Sequence, residues 1–368
     1  MLKYLLALVI AIHGLIHLIG YAKTYGYGNF PQLTKSVSKP VGSLWLIAAI
    51  HFITVAIFYM LGKEGWWMVA IPALIISQTL IFIFWKVAKM GTVANLIILI
   101  PLIIATASWQ MKRTYTAEVK QMLPQPGSAN NTILTQQMLT PLPPVVQKWL
   151  RRSGVVGREN IQQISLQQTG EMTTKQNGSL IPFTAEQYFT TDKPSFNWRT
   201  TIRPSPVLLM TGRDKYENGK GHMLIKAYSL FPVVNAKGKE IDQGSMLRYL
   251  AEICWFPSAA LSKHIHWEAV DSVSAKATMS YGGITASGVF IFNNDGDMLS
   301  FEADRYYVAN KNTTLEKWLI SCKSYTVFND IRIPSQCEVT WKLKAGDYTW
   351  LKVTITGIVY NKDVPEKK

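Results

Sequence analysis

Four long apolar segments fill the first 110 residues of the chain, at 3–21, 43–62, 66–86 and 92–110. Each is close to the roughly 20 residues that a helix needs to cross about 30 Å of membrane hydrocarbon. Pro72 lies inside the third segment and Pro101 inside the fourth. Packed neighbouring helices can accommodate such interruptions. The pattern therefore predicts a four-helix transmembrane bundle over 1–110.

The pattern changes after the fourth segment. Residues 111–140 are polar and contain Pro124, Pro126 and Gly127, which is typical of a linker. From about residue 160 onward, ten segments alternate apolar and polar positions with period two, as strands do. One helical segment, 244–261, interrupts them. The sequence predicts an α+β domain over 141–368, with a large antiparallel curved sheet, or half-barrel, and a covering helix that either closes an apolar cavity or fills the core.

Several blocks of this second region resemble a family of bacterial proteins. They are LTPLPPVVQKWLRRSGVVG, FNWRTTIRP, GRDKYENGKGHML, DQGSMLRYLAEICWFPSAAL and FNNDGDMLSFEADRY. The region from about 140 to 362 is similar to the DUF6544 family, and its strand pattern resembles the LolA/LolB lipoprotein carriers. The resemblance implies a half-barrel that binds a lipid or lipopeptide, but it supplies no site residues. The chain departs from those carriers because four apolar segments stand where a signal peptide would be.

We expect a binding protein tethered to the bilayer, with a lipid, a lipoprotein or another hydrophobic molecule as its partner. The candidate ligand-binding residues are the aromatic and polar side chains of the sheet and the covering helix: Trp198, Phe231, Arg248, Tyr249, Glu252, Trp255, Phe256 and Trp267. Arg248 and Glu252 are four residues apart on the helix and are expected to form an ion pair. Asp304 and Arg305 are expected to form another. A structural subunit of an assembly is an alternative role.

Three of the six histidines lie in the apolar segments: His13, His17 and His51. Ionisable residues are rare in membrane helices and often functional. His13 and His17 share a helix face, and antiparallel helices would bring His51 to a similar depth. Three imidazoles could bind haem or a metal ion. Alternatively, neutral histidines could form hydrogen bonds to Ser, Thr, Gln78 or Asn95 and hold the helices together.

The cysteines bear on which side of the membrane the sheet domain lies. If Asn329 and Asp330 form a two-residue turn, Cys322 and Cys337 stand directly opposite each other on adjacent strands. A disulfide is feasible there and would place the domain outside the cytoplasm of a bacterial inner membrane. Two free thiols on a buried face are the alternative. Basic residues near the membrane are equally frequent on the two sides, so charge does not decide the topology.

Charge and motifs narrow the function further. The net charge of +15 divides into +6 for residues 1–110 and +9 for the rest. A basic surface favours anionic lipid headgroups, whereas no Arg-rich block supports nucleic-acid binding. The motifs of serine hydrolases, zinc proteases and P-loop enzymes do not occur in the sequence, so a binding role is favoured over catalysis. His264, His266 and Glu268 alternate on one strand and are the best candidate metal ligands of the second region.

Overall fold

The computed structural model describes residues 2–30, 36–124, 132–309 and 312–362. The chain divides into two compact units, Met1–Gln110 and Met111–Lys368. Part of the predicted linker, at 125–131, lies outside the described residues. Its first residues, up to Met122, are helical.

The first unit is helical. Its elements are α1 (Leu2–Thr24), α2 (Lys39–Met60), α3 (Trp66–Ile83), the short α4 (Trp85–Ala88) and α5 (Gly91–Met122), whose last turns belong to the second unit. Helices α1, α2, α3 and α5 are each long and apolar enough to cross a membrane. They coincide with the four predicted segments. Helix α5 is longer than the fourth apolar segment because its amphipathic end contacts the sheet, as described below.

Glycines allow α1 and α2 to approach each other closely. A Cβ atom added at Gly20 would lie 2.2 Å from the Trp45 ring, and one added at Gly14 would lie 2.9 Å from Cβ of Phe52. Hydrophobic burial gives little drive between helices in lipid, so close van der Waals packing of this kind contributes much of the stability of a bundle.

Among its described residues, the second unit contains thirteen strands in one antiparallel sheet. They are β1 (Gln163–Met172), β2 (Ile181–Thr190), β3 (Ser195–Ile202), β4 (Met210–Glu217), β5 (Lys220–Ala227), β6 (Phe231–Ala236), β7 (Ile265–Ala269), β8 (Ser274–Tyr281), β9 (Ile284–Phe292), β10 (Met298–Ala309), β11 (Asn312–Phe328), β12 (Ile331–Leu343) and β13 (Gly346–Tyr360). Their spatial order runs from β6 down to β1, then from β13 down to β7. Two of the ten predicted segments are hairpins, β5–β6 and β7–β8, and β4 was not predicted as a strand.

The sheet curls until turns from its two halves meet. The β4–β5 turn contains Gly219, and the β8–β9 turn contains Gly282. A Cβ atom added at Gly219 would lie 2.6 Å from the carbonyl oxygen of Gly282. The sheet is therefore nearly closed at this end, while β6 and β7 remain its two edge strands. The predicted half-barrel is confirmed.

Helix α7 (Lys239–Glu252) covers the concave face near the closed end. It packs against β4 and β5 on one side and β8, β9 and β10 on the other. Asp242, in its first turn, accepts hydrogen bonds from the backbone N–H of Gly221 and from Nζ of Lys220, at 2.8 and 3.0 Å. The covering helix is thus anchored at its start. A second helix, α6 (Pro144–Ser153), begins at Pro144, and Gly154 caps its C-terminus with a positive φ angle.

The convex face of β3 and β4 contacts the last turns of α5. The hydroxyl of Tyr115 donates to the carbonyl oxygens of Glu186 and Asn197, both at 3.3 Å. The Glu118 carboxylate lies 3.4 Å from Arg213 and 3.3 Å from Lys215. These contacts explain why β4 was hard to predict, because its polar side chains contact α5 on one face and α7 on the other.

The α1–α2 contact predicts the effect of filling Gly20. Gly20→Ala should destabilise the bundle, by about 1–3 kcal/mol if overpacking is not relieved, because the new methyl group overlaps the Trp45 ring. The matched control is Gly65→Ala, which has open space around the new atom. Thermal unfolding of the full chain in mild detergent measures both. Equal midpoints for the two variants would contradict this packing.

Candidate functional site

The concave face is only partly covered by α7. Beyond the helix, side chains on the same face stay partly exposed, among them Trp198, Ala185, Met210, Ile225 and Leu351. Strand register places them on this face, because each continues the inward alternation of buried neighbours. We call this partly exposed area the open concave face. It combines apolar side chains with access to solvent.

Arg248 of α7 lies at the border of the open concave face, in a network of ion pairs. Its guanidinium is 2.8 Å from the carboxylate of Asp214 on β4 and 2.8 Å from that of Glu252. It also donates to Oε1 of Gln187 on β2, at 3.3 Å. Glu252 in turn accepts a hydrogen bond of 2.9 Å from the Gln187 amide. The predicted Arg248–Glu252 ion pair is confirmed.

Burial controls the electrostatics of this network. Burial raises the pKa of Asp214 above its usual range, and Arg248 opposes that shift. Burial likewise raises the pKa of Glu252, again opposed by Arg248. Arg248 also stacks on the rings of Phe196 and Trp198, at 4.8 and 5.1 Å from the ring centroids. The network therefore depends on one guanidinium that offsets two buried carboxylates.

A second arginine, Arg305 on β10, also faces inward. It lies 4.4 Å from the ring centroid of Trp318 and 5.8 Å from that of Trp341. Burial lowers its pKa to about 10, although Asp214 acts in the opposite direction. Within the described ranges, its guanidinium makes no hydrogen bond or ion pair. The backbone of α7 approaches it closely, since a Cβ atom added at Gly244 would lie 3.0 Å from Nε of Arg305.

The predicted Asp304–Arg305 ion pair is wrong. Adjacent strand residues point to opposite faces, so Asp304 lies on the convex side, 3.0 Å from Lys317. Sequence reasoning missed Arg305 as a site residue. A signal was present, because Phe301, Ala303, Arg305 and Tyr307 alternate along one strand and only Arg305 is charged. A charged residue on the apolar face of a strand needs an explanation.

The predicted ligand-binding residues fall into three places. Trp198 and Arg248 border the open concave face, and Glu252 is buried with Arg248 in the ion-pair network. Four others are core residues that are almost completely buried: Tyr249, Trp255, Phe256 and Trp267. Three of these donate hydrogen bonds to backbone carbonyl oxygens. Phe231 is exposed on the edge strand β6.

In the first unit, His13 and His17 belong to a buried polar network. Nε2 of His13 lies 2.8 Å from Oδ1 of Asn95 and 3.2 Å from Oγ of Ser77. Nε2 of His17 lies 3.0 Å from the same Ser77 oxygen. Asn95 continues the network by donating to Oε1 of Gln78, at 3.0 Å. The histidines thus link α1 to α3 and α5.

His51 lies apart from that network. Its Nδ1 bonds to the carbonyl oxygen of Ile47 in its own helix, at 2.9 Å. Across the part of the chain that the structure describes, no three His, Cys, Asp or Glu side chains are grouped to hold a metal ion. His266 and Glu268 are exposed on β7, where Glu268 pairs with Lys276 at 3.6 Å. The haem or metal hypothesis for His13, His17 and His51 stays a prediction.

Cys322 and Cys337 stand directly opposite each other on β11 and β12, as the turn at Asn329 and Asp330 predicts. Both turn residues have positive φ angles of 48° and 61°, which suit a two-residue hairpin turn. The thiols are free. A hydrogen bond with Cys322, and then burial, raise the pKa of the Cys337 thiol well above its usual range. The disulfide itself stays a prediction.

A cleft of about 890 Å³ lies elsewhere on the second unit. Leu123, Pro124 and Thr132 line part of it. Its remaining walls include charged side chains such as Asp192 and Lys193. We assign no function to it.

The sequence profile of the DUF6544 family, described as a family of unknown function, matches residues 132–353, more than half of the chain. The chain belongs to this family. Comparison with curated proteins finds no match. The matched residues include strands β1 to β12, the first half of β13, and helices α6 and α7.

Two solved structures resemble the DUF6544 chain. One is a DUF1329 family protein from Desulfovibrio piger, with 11% identity and a TM-score of 0.36; the similarity covers 61% of this chain and 95% of that one. The other is a LolA superfamily protein from Nitrosomonas europaea, with 11% identity and a TM-score of 0.34. This second similarity covers 60% of this chain and 96% of the Nitrosomonas europaea chain.

Removing Arg248 tests the buried network. Arg248→Gln should reduce the free energy of unfolding by about 3 kcal/mol, because it leaves two buried carboxylates without their counter-charge. The control is Arg158→Gln, whose ion pair with Asp330 is exposed and should be worth less than about 1 kcal/mol. Denaturant unfolding of the full chain, followed by the fluorescence of the sheet domain, compares the two. Similar losses in both variants would contradict the assigned role of Arg248.

Proposed function

We propose that this protein is a membrane-tethered binding protein that holds a lipid, a lipopeptide or another hydrophobic molecule on the open concave face of its sheet domain. The observation that carries the proposal is the set of inward-facing apolar side chains that α7 leaves partly exposed. Small-molecule sites are concave and mostly apolar, with a few polar groups that orient the ligand. Here Trp198, Ile225 and Leu351 supply apolar surface, and Arg248 stacks on the Trp198 ring.

The inward row next to Trp198 has small side chains. Ala185, Thr200 and Gly212 are paired across β2, β3 and β4, and Ile225 follows them on β5. Larger aromatic side chains flank this row, including Phe183 and Trp198, whose ring centroids are 6.2 Å apart. The rings therefore lean over the small side chains and present apolar surface there, with Ala185 and Ile225 partly exposed beside them. Such a surface would suit an elongated apolar ligand, such as an acyl chain.

The four apolar helices support a site next to a membrane, from which such a ligand could come. The net positive charge of the second unit would favour binding to an anionic lipid surface. We place the protein in a bacterial inner membrane, with the sheet domain outside the cytoplasm. Its partners on this proposal are the bilayer and a hydrophobic ligand or lipoprotein.

Blocking the row of small residues tests the binding role. The full chain, purified in mild detergent, is expected to carry an apolar ligand that mass spectrometry of an organic extract detects. Ala185→Trp should reduce the bound fraction by about tenfold or more, since loss of about 1.4 kcal/mol of apolar contact weakens binding tenfold.

Thr184→Trp is the matched control, because residue 184 is exposed and points to the convex face of the same strand. It should leave the bound fraction unchanged. A cooperative unfolding transition in both variants excludes misfolding as the cause. A wild-type protein that carries no apolar molecule, and takes up none from mixed micelles, would contradict the proposal.

The thiol pair tests the location of the sheet domain. Outside the cytoplasm, Cys322 and Cys337 should form a disulfide, because their strands hold them directly opposite each other. Cells are quenched in acid, unfolded and treated with a maleimide of high mass. Only Cys254 should react before reduction, and all three cysteines should react after it. Cys322→Ser should free Cys337 in the same assay. Three reactive thiols without reductant contradict the proposed location.

A further inference from the structure

We infer that Arg305 receives the anionic group of the ligand, a carboxylate or a phosphate, while the apolar part of that ligand lies along the open concave face. The inference rests on the proposed function and adds the chemical class of the ligand. It is carried by the geometry of Arg305: a guanidinium that faces inward, is partly exposed and stacks on Trp318, without an acceptor for its N–H groups in the described residues.

Other arginines of the sheet domain that are buried or half-buried have acceptors. Arg213 lies 3.4 Å from Glu118, Arg199 lies 3.3 Å from Glu186, and Arg332 forms two hydrogen bonds of 2.9 Å to Asp297. Arg248 has both Asp214 and Glu252. Buried charges are normally paired because an unpaired one loses its hydration without compensation. Arg305 departs from this pattern, and it is partly exposed on the inward side of the sheet.

The surroundings of Arg305 suit an anion. Trp318 and Trp341 fix the plane of the guanidinium, so its parallel N–H groups can bind two oxygens of one carboxylate or phosphate. The nearby carboxylates of Asp214 and Glu252 are both engaged by Arg248. The α7 backbone at Gly244 closely covers the guanidinium near Nε, so an anion would approach from the side that stays exposed.

The competing interpretation is that Arg305 serves only as a distant counter-charge. Arg248 brings one positive charge to two carboxylates, and Arg305 would neutralise the remaining negative charge. Both roles affect stability, but only an anion receptor distinguishes ligands by their headgroup. The test therefore compares ligands that differ in charge and share the same apolar chain.

The probes are dibromostearate, its uncharged methyl ester, and a lysophosphatidylglycerol that carries the same single brominated chain. Bromine quenches tryptophan fluorescence at short range, and Trp198, Trp318 and Trp341 lie at the site. Binding is titrated with the full chain in nonionic detergent. We expect one or both anions to bind about 10- to 100-fold more tightly than the ester, the range expected for a charge-assisted hydrogen bond. The tighter of the two identifies a fatty acid or a phospholipid as the source.

Arg305→Gln should reduce this preference to less than about threefold, while the affinity for the ester is retained, because only the charge-assisted bonds are lost. Arg305→Lys should keep part of the preference, since it keeps the charge but loses the planar pair of donors. Arg203→Gln, which alters an exposed arginine, is the control and should keep the full preference.

Two outcomes separate the inference from the proposed function. If the wild-type protein binds all three probes equally, or if Arg305→Gln keeps the preference, the inference is overturned and the binding role stands. If the wild-type protein binds none of the probes, not even the ester, the proposed function fails as well. The wild-type comparison needs no variant to fold, so the inference can be tested even if Arg305→Gln is unstable.

Discussion

Burial of Arg248 between α7 and the sheet is the interaction on which the second unit depends. The guanidinium joins the helix to β4 through Asp214 and to β2 through Gln187, and it offsets the two carboxylates that the fold has removed from water. Without it, the apolar side of α7 would still favour burial, but the position of the helix along the concave face would be poorly specified. The network thereby determines how much of that face is covered and how much stays open.

The ion pairs of β4 also explain why part of the sheet could not be predicted from the sequence. The four apolar helices, the curved sheet and the covering helix follow from periodicity alone, which is strongest in long segments. The β4 strand does not follow from periodicity, because Arg213, Asp214 and Lys215 look like a polar turn until their partners on α5 and α7 are known. The hairpins β5–β6 and β7–β8 were each predicted as one continuous segment, because neither turn contains a glycine.

Aromatic residues were the weakest guide to the site. Tyr249, Trp255, Phe256 and Trp267 have the composition of a ligand pocket, but they form the closed core. Only tertiary packing separates an aromatic side chain that fills a core from one that borders an opening. Arg305 is a different kind of signal, because a charge on the apolar face of a strand is rare enough to need a cause. The histidines of the bundle had a similar ambiguity, and their hydrogen bonds to Ser77 and Asn95 account for two of the three.

The contact between Gly219 and Gly282 has a consequence for how the sheet can change. The two turns approach each other through backbone atoms, so the two halves of the sheet cannot come closer at that end. Insertions or larger residues there would force the halves apart, whereas the hairpins at the opposite end face no such limit. While the two turns stay in contact, the concave face can widen only by movement of the hairpins at its opposite end.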